Sequence, residues 1–140
     1  MTPLERITER ITRHGHPGAR GTPIYLLSIA DFFDGNTHTG SIGCNLSGSP
    51  TPTQFRELFE RIAHQPTVRD IRVQITAFDE PEWPFSDTVF IMTSASVEEV
   101  GQWFPEDLRP DDIGEGFNET VRYEHYAVPV DTRAIACWWD

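Results

Sequence analysis

The residues best suited to covalent chemistry lie between positions 31 and 44. Cys44 and His38 could form a thiolate–imidazole pair, with Asn36 or Asp34 orienting the imidazole and Asp31 nearby, because a base beside a thiol creates a nucleophile. An enzyme that uses this cluster is one interpretation of the chain. In the other, Asp and Asn residues form a tight turn and Cys44 packs as a small apolar side chain. The second interpretation is favoured, because nothing in the sequence indicates an accessible thiolate.

Candidate metal ligands are few. His14 and His16 supply two imidazoles, whereas a zinc site takes three or four protein ligands. The oxygen-rich run from Asp31 to His38 lacks the spacing and the bidentate glutamate of an EF-hand, and its residues are those that a turn requires. We therefore predict no metal and no cofactor, and we assign no catalytic residue.

The chain is strongly acidic and contains no lysine. Its formal net charge is −11 over 140 residues, and all 11 of its Lys and Arg residues are arginine. Schiff-base chemistry and the lysine of a Walker phosphate loop are thereby excluded. Binding to duplex nucleic acid is not expected either, because such binding depends on a basic face.

The negative charge is concentrated in one segment. The stretch from Asp79 to Glu119 holds twelve acidic residues and one arginine, Arg109, which equals the net charge of the whole chain. The alternative explanation is that an acidic surface keeps the protein soluble. A concentrated field of one sign also attracts basic surfaces, so we predict a basic protein partner.

The predicted partner-binding residues combine this charge with an aromatic side chain. An exposed tryptophan beside an acidic rim is the composition of a protein-binding hot spot. The predicted set is Asp79, Glu80, Glu82, Trp83, Asp87, Glu106, Asp107, Asp111 and Asp112. At the end of the chain, Trp138 and Trp139 occupy alternate strand positions, so one is predicted in the core and the other partly exposed.

Composition predicts a single cytoplasmic domain over residues 1–140, of which 1–23 form an N-terminal helix and its tether. The chain has no apolar run of about 18 residues, so we predict no membrane span. Its N-terminus lacks the apolar centre of a secretory signal. Two cysteines, Cys44 and Cys137, do not make a disulfide framework.

Three helices are predicted from their N-terminal capping patterns. Thr2-Pro3-Leu4-Glu5, Thr51-Pro52-Thr53-Gln54 and Ser96-Val97-Glu98-Glu99 each place a capping hydroxyl three residues before a Glu or Gln. Apolar residues follow the second box at i, i+3, i+4 and i+7, which predicts a helix packed on a sheet.

Strands are predicted at Ile24–Ala30, Ile71–Ala77, Thr88–Thr93 and Arg133–Trp139, with Gly40–Leu46 as the second arm of a β-hairpin. Without the first helix and the hairpin, the order is βαββαβ. The predicted fold is therefore α+β, a ferredoxin-like split βαβ sheet with an added N-terminal helix and a β-hairpin. The connection 105–131 is too long for that plan, so Val121–Val128 is predicted as an extra edge strand.

Four segments resemble small bacterial proteins that accompany secreted toxins as immunity proteins. They are Phe32-Phe33-Asp34-Gly35-Asn36, Gly40-Ser41-Ile42-Gly43-Cys44-Asn45-Leu46, Trp83-Pro84 with Asp87-Thr88, and Trp138-Trp139-Asp140. None is a motif with a mechanism, so the resemblance assigns no site residues. It implies a cytoplasmic, non-enzymatic inhibitor that blocks a toxin by binding it.

The favoured function is therefore a non-enzymatic acidic protein-binding domain of the immunity type, directed at a basic toxin. The alternative is an enzyme that uses the Cys/His/Asp cluster. A third interpretation is a domain that forms homo-oligomers by joining unpaired strand edges.

Overall fold

The computed structural model describes residues 1–17, 19–79 and 81–140. Glu80, one of the predicted partner-binding residues, lies outside the described residues. The helices are α1 (Pro3–Thr12), α2 (Ile29–Phe33), α3 (Pro52–Ala63) and α4 (Val97–Gln102), with a short 3-10 helix at Glu106–Leu108. The strands are β1 (Leu26–Ser28), β2 (Val68–Gln74), β3 (Thr88–Thr93), β4 (Asp112–Glu115) and β5 (Arg133–Trp138).

The three helices predicted from capping patterns are confirmed. The Thr2 side chain accepts a hydrogen bond from the Glu5 N–H at 3.1 Å at the start of α1, and Ser96 caps α4 in the same way. At α3 the capping box is complete, since Gln54 Oε1 also accepts from the Thr51 N–H at 2.8 Å. These bonds satisfy N–H groups that have no partner within the helix.

The five strands form one sheet in the order β1-β2-β3-β5-β4, in which every neighbouring pair is antiparallel. Together with the helices, this sheet confirms the α+β class. The split βαβ order is wrong. That plan keeps its first two strands parallel with another strand between them, whereas β1 pairs directly and antiparallel with β2, Leu26 opposite Gln74.

The segment between β1 and α3 accounts for the different strand order. Only Leu26–Ser28 of the predicted Ile24–Ala30 strand is a strand, because Ser28 caps α2 by accepting from the Asp31 N–H. The predicted hairpin is wrong, since Gly40–Leu46 forms turns with one isolated bridge, Ile42 to Ser86. Helix α2 and these turns therefore stand between β1 and α3, where a split βαβ unit has only a short loop. After α3 the chain enters β2 antiparallel to β1.

The fifth strand lies elsewhere than predicted. Val121–Val128 is not an edge strand, because only Tyr123 makes a bridge, to Ile24. The edge strand is β4, which pairs with β5 from Asp112 opposite Trp138 to Glu115 opposite Ile135. β4 therefore interrupts the connection 105–131, which was too long for the predicted split βαβ plan.

The two faces of the sheet are covered differently. The helices pack on one face, where Phe55 and Phe59 of α3 meet the ring of Trp139 edge-on at centroid distances of 5.7 and 6.2 Å. The prediction for the paired tryptophans is confirmed, since Trp139 is buried and Trp138 is 40% exposed. The opposite face, called here the open face, carries a smaller cluster around Phe90.

Within the described ranges, α3 is the longest helix at 12 residues, and none has the length and apolar composition of a membrane span.

Candidate functional site

The candidate site begins with four side chains that lie side by side on the open face. Strand register places Asp112 opposite Trp138, Trp138 opposite Thr88, and Thr88 opposite Gln74. Directly opposite residues share a face and lie about 5 Å apart. We call these four residues the terminal row, because they lie side by side across β4, β5, β3 and β2 at the same end of the sheet.

The segment 116–131 crosses the open face and is fastened there by Glu124. Glu124 Oε1 accepts a hydrogen bond from the Leu26 N–H at 2.8 Å and one from Arg10 at 3.2 Å. The same carboxylate therefore joins the segment both to the edge strand β1 and to helix α1. Its side chain is 19% exposed, which limits screening of the ion pair by solvent.

A second fastening involves Tyr126. Its hydroxyl donates to Asp70 Oδ2, which also accepts from Arg72 Nε at 2.9 Å. The Arg72 guanidinium lies over the Tyr126 ring, 5.0 Å from the centroid. Burial raises the pKa of Tyr126 to about 12, and the hydrogen bond to Asp70 raises it in the same direction.

Between the terminal row and this segment lies a cavity of about 430 Å³. Asp87 and the terminal row line one wall, and Phe117, Asn118 and Tyr123 line the other. Burial raises the pKa of Tyr123, as does the negative charge of Asp87, against a hydrogen bond from the Asn118 backbone that lowers it. The cavity is thus a concave, polar site with aromatic walls.

The cavity walls carry hydrogen-bond acceptors with unused capacity. Gln74 is 8% exposed, and its Oε1 is buried without a donor among the described residues. The Asp112 carboxylate likewise has no hydrogen-bond or ionic partner in the described part of the chain. Asp87 Oδ1 accepts from the hydroxyls of Thr76 and Thr88, at 2.7 and 2.9 Å, and none of the ion pairs between described residues includes Asp87.

Three of the predicted partner-binding residues meet beside this cavity. Asp87 and Asp112 line it, and Asp111 adjoins them, accepting from the Asn45 side chain and from the Asp140 N–H, both at 2.7 Å. The backbone N–H of Trp139 also donates to the Asp87 carbonyl at 2.9 Å. The end of β5 therefore draws together acidic residues from two distant stretches of the chain.

The other predicted acidic residues lie around the same end of the sheet but outside the cavity. Asp79 and Glu82 flank a turn in the loop between β2 and β3, whose Phe78 and Pro81 face helix α1. Glu106 and Asp107 are exposed on the 3-10 helix that precedes β4. We call this whole region the acidic end of the sheet.

Trp83 is not the exposed aromatic of this surface. It is 9% exposed, and its indole N–H donates to the Phe32 carbonyl at 3.2 Å, so it belongs to the core. Trp138 is the exposed tryptophan beside the carboxylates. The alternation of the paired tryptophans contained this signal, but nothing in the sequence linked Trp138 to Gln74 or Tyr123.

The alternative catalytic cluster is not assembled as a triad. Asp34 is engaged by Arg6 at 2.8 Å, and Asn36 Oδ1 accepts from the backbone N–H of His38. Among the described residues, no hydrogen bond joins the His38 imidazole to the Cys44 thiol. The described residues also contain no group of three or more His, Cys, Asp or Glu side chains placed to hold a metal ion.

Sequence comparison places these features in a family. Residues 2–137 match the model described as "Uncharacterized protein YfbO family". The chain is 42% identical over 140 residues to "Uncharacterized protein YfbO" of Escherichia coli (strain K12), with 100% of both chains covered. No solved structure matches the chain. Because the match spans nearly every residue, the chain belongs to the YfbO family.

Proposed function

We propose that this chain is a non-enzymatic protein-binding domain that docks a basic protein on the acidic end of its sheet. The observation that carries the proposal is a set of carboxylates without cationic partners around the exposed side chain of Trp138. Of the acidic residues between Asp79 and Glu119 in the described ranges, Glu115 is the one in an ion pair, with Arg133 at 3.6 Å. The remaining charge is available to a partner.

Topology supports a shared docking surface. The loop between β2 and β3, the segment that enters β4 and the last residues of β5 all lie at the same end of the sheet. Carboxylates distant in sequence therefore sum into one field. Such a field accelerates encounter with a basic surface and disfavours acidic competitors.

Trp138 adds an exposed apolar ring to the carboxylates of the docking surface. Its 40% exposed ring is flanked by Asp112 on β4 and Thr88 on β3. Tryptophan is enriched among residues that dominate binding energy, particularly where neighbouring groups exclude water from it. A partner that covers Trp138 would also bring its own cations close to Asp111 and Asp112.

The finer form of the proposal is an immunity-type inhibitor of a basic bacterial toxin. It is supported by the sign of the charge and by the four segments that resemble such proteins. Two of them contribute to this surface, since Asp87 lies in one and Trp138 in another. An inhibitor of this kind needs a complementary surface and no catalytic residue.

The test is capture of partners from the native host with the tagged protein at low salt, followed by binding kinetics with the purified partner. We expect a basic partner whose association rate falls steeply between about 0.05 and 0.3 M salt, because the Debye length shortens to below about 10 Å over that range. Co-expression of a captured toxin domain with this chain should restore growth. Capture of acidic proteins alone, insensitive to salt, would contradict the proposal.

A matched pair of double variants locates the surface. Asp111→Asn with Asp112→Asn should lower the association rate at least about threefold at low salt, since it removes two charges from the docking surface. Glu98→Gln with Glu99→Gln removes the same charge from the first turn of α4, at the other end of the sheet. That control should leave the rate nearly unchanged. Equal effects of the two variants would mean that net charge, and not this surface, attracts the partner.

A further inference from the structure

We propose that the cavity beside the terminal row is a receptor for one arginine side chain of the partner. This inference rests on the proposed function, because it names the group that the acidic end of the sheet receives. It is carried by the unused acceptors of the cavity, the aromatic rings beside them and its volume of about 430 Å³.

The acceptors come from three strand ends. Asp112 stands at the start of β4 without a partner among the described residues, and Asp87 immediately precedes β3. Gln74, at the end of β2, adds a buried Oε1 that receives no hydrogen bond in the described part of the chain. A buried acceptor left without a donor is unfavourable, and a donor brought in by a ligand removes that cost. The missing group is therefore a cation rich in N–H donors.

The aromatic side chains favour a flat cation. Trp138 and Tyr123 both line the cavity, and Tyr123 packs edge-on to the Phe90 ring at a centroid distance of 5.8 Å. The face of an indole or phenol attracts a cation within about 6 Å of its centroid. The packing against Phe90 restrains the Tyr123 ring before a ligand arrives, which lowers the entropy lost on binding.

Guanidinium fits this arrangement better than ammonium. Asp112 lies on β4 and Asp87 immediately before β3, on opposite sides of β5, and β4 and β3 are separated by about 10 Å. A guanidinium presents five donors along the edges of a plane and stacks on aromatic rings, so it can address both carboxylates while covering Trp138. An ammonium is a compact, strongly hydrated charge with three donors. The occupant is accordingly an arginine and not a lysine.

The test uses the full chain labelled with ¹⁵N and titrated with N-acetyl-arginine methylamide, then with its lysine counterpart. We expect the arginine probe to shift the Gln74 side-chain amide and the Trp138 indole N–H saturably, with a Kd in the millimolar range typical of a single side chain, about 1 to 20 mM. The lysine probe should bind at least about fivefold more weakly. Shifts that are non-saturable, equal for the two probes, or spread over all exposed carboxylates would overturn the inference.

Variants separate the cavity from general attraction by charge. Asp112→Asn and Gln74→Leu should each weaken the arginine probe about fivefold, whereas Glu98→Gln should not. Asp112 is exposed, so its variant is expected to fold even if the buried Gln74 variant does not.

The inference and the proposed function can fail separately. If the natural partner responds to the Asp111/Asp112 variant but the arginine probe does not bind, the cavity inference is wrong and the docking surface stands. If the probe saturates the cavity while the partner ignores those carboxylates, the proposed function is wrong and the arginine receptor stands.

Discussion

The hydrogen bond between Tyr126 and Asp70 can be tested by the substitution Tyr126→Phe. The hydroxyl is removed, whereas the ring that lies under the Arg72 guanidinium, 5.0 Å from its centroid, is retained. Asp70 keeps its hydrogen bond from Arg72 Nε at 2.9 Å. The variant therefore isolates one hydrogen bond that fastens the cavity wall to the sheet.

The magnitude follows from the charge and exposure of the acceptor. A hydrogen bond to a charged group contributes about 1.5–3 kcal/mol when buried. The Asp70 side chain is 29% exposed, so solvent screening reduces the expected loss of unfolding free energy to about 1 kcal/mol. For a chain of this size, that loss lowers Tm by about 3 °C.

The pH dependence of stability tests the burial of the Tyr126 hydroxyl together with its hydrogen bond to Asp70. The raised pKa of folded Tyr126, about 12, means that its proton is held more tightly in the folded state than in the unfolded one, where the pKa is about 10. Its contribution is complete below pH 10 and is lost as pH rises towards 12. At pH 11, between these two pKa values, much of this contribution is lost by the wild type, whereas the phenylalanine variant has no such contribution to lose.

The assay is urea unfolding of the wild-type and Tyr126→Phe proteins at pH 8 and pH 11. The wild type should be more stable by about 1 kcal/mol at pH 8, and the difference should be clearly smaller at pH 11. Titration of the other tyrosines cancels, because both proteins contain them. A difference that is absent at pH 8 or constant with pH would refute the bond.

Three further predictions concern the core and the thiols. Trp139→Ala should cost about 3–5 kcal/mol of unfolding free energy by chemical denaturation, because a fully packed indole leaves a cavity. In the native protein, an alkylating reagent should modify the exposed Cys44 and spare Cys137, because burial raises the pKa of the Cys137 thiol. Cys137 should react only after the chain unfolds. Mass spectrometry that finds Cys137 modified in the folded protein would contradict this. Gly43→Ala should destabilise the protein by more than about 1 kcal/mol in the same denaturation assay, since its φ is +63° and a Cβ would lie 2.5 Å from the Phe55 ring; an unchanged midpoint would contradict this.

The elements predicted correctly from the sequence are those fixed by neighbouring residues. Helix starts at Thr2, Thr51 and Ser96 depend on hydrogen bonds that span three residues, so their pattern is visible in the sequence. The alternation of Trp138 and Trp139 is equally local, since the two faces of a strand differ at every step.

The elements predicted wrongly depend on distant contacts. β4 carries Gly114 and a single large apolar residue, Ile113, so it lacks the alternation that marks a strand and exists because β5 pairs with it. Trp83 is drawn into the core by the carbonyl of Phe32, 51 residues earlier. Neither contact leaves a signal in the local sequence.

The gathering of charge at one end of the sheet follows from where the chain can accommodate it. β3 is buried on both faces, so its residues Thr88–Thr93 leave no place for a carboxylate. Most charges of the acidic segment therefore lie in the stretches before β3 and after α4, whereas Glu98 and Glu99 stand in the first turn of α4 at the other end of the sheet. The chain leaves the acidic end of the sheet after Asp87 and returns to it before Asp111. At this end, the last residues of β5 place Trp138 between these two stretches of the chain. The candidate site is thus produced by strand order, and the tryptophan and its carboxylates become neighbours only when the sheet has formed.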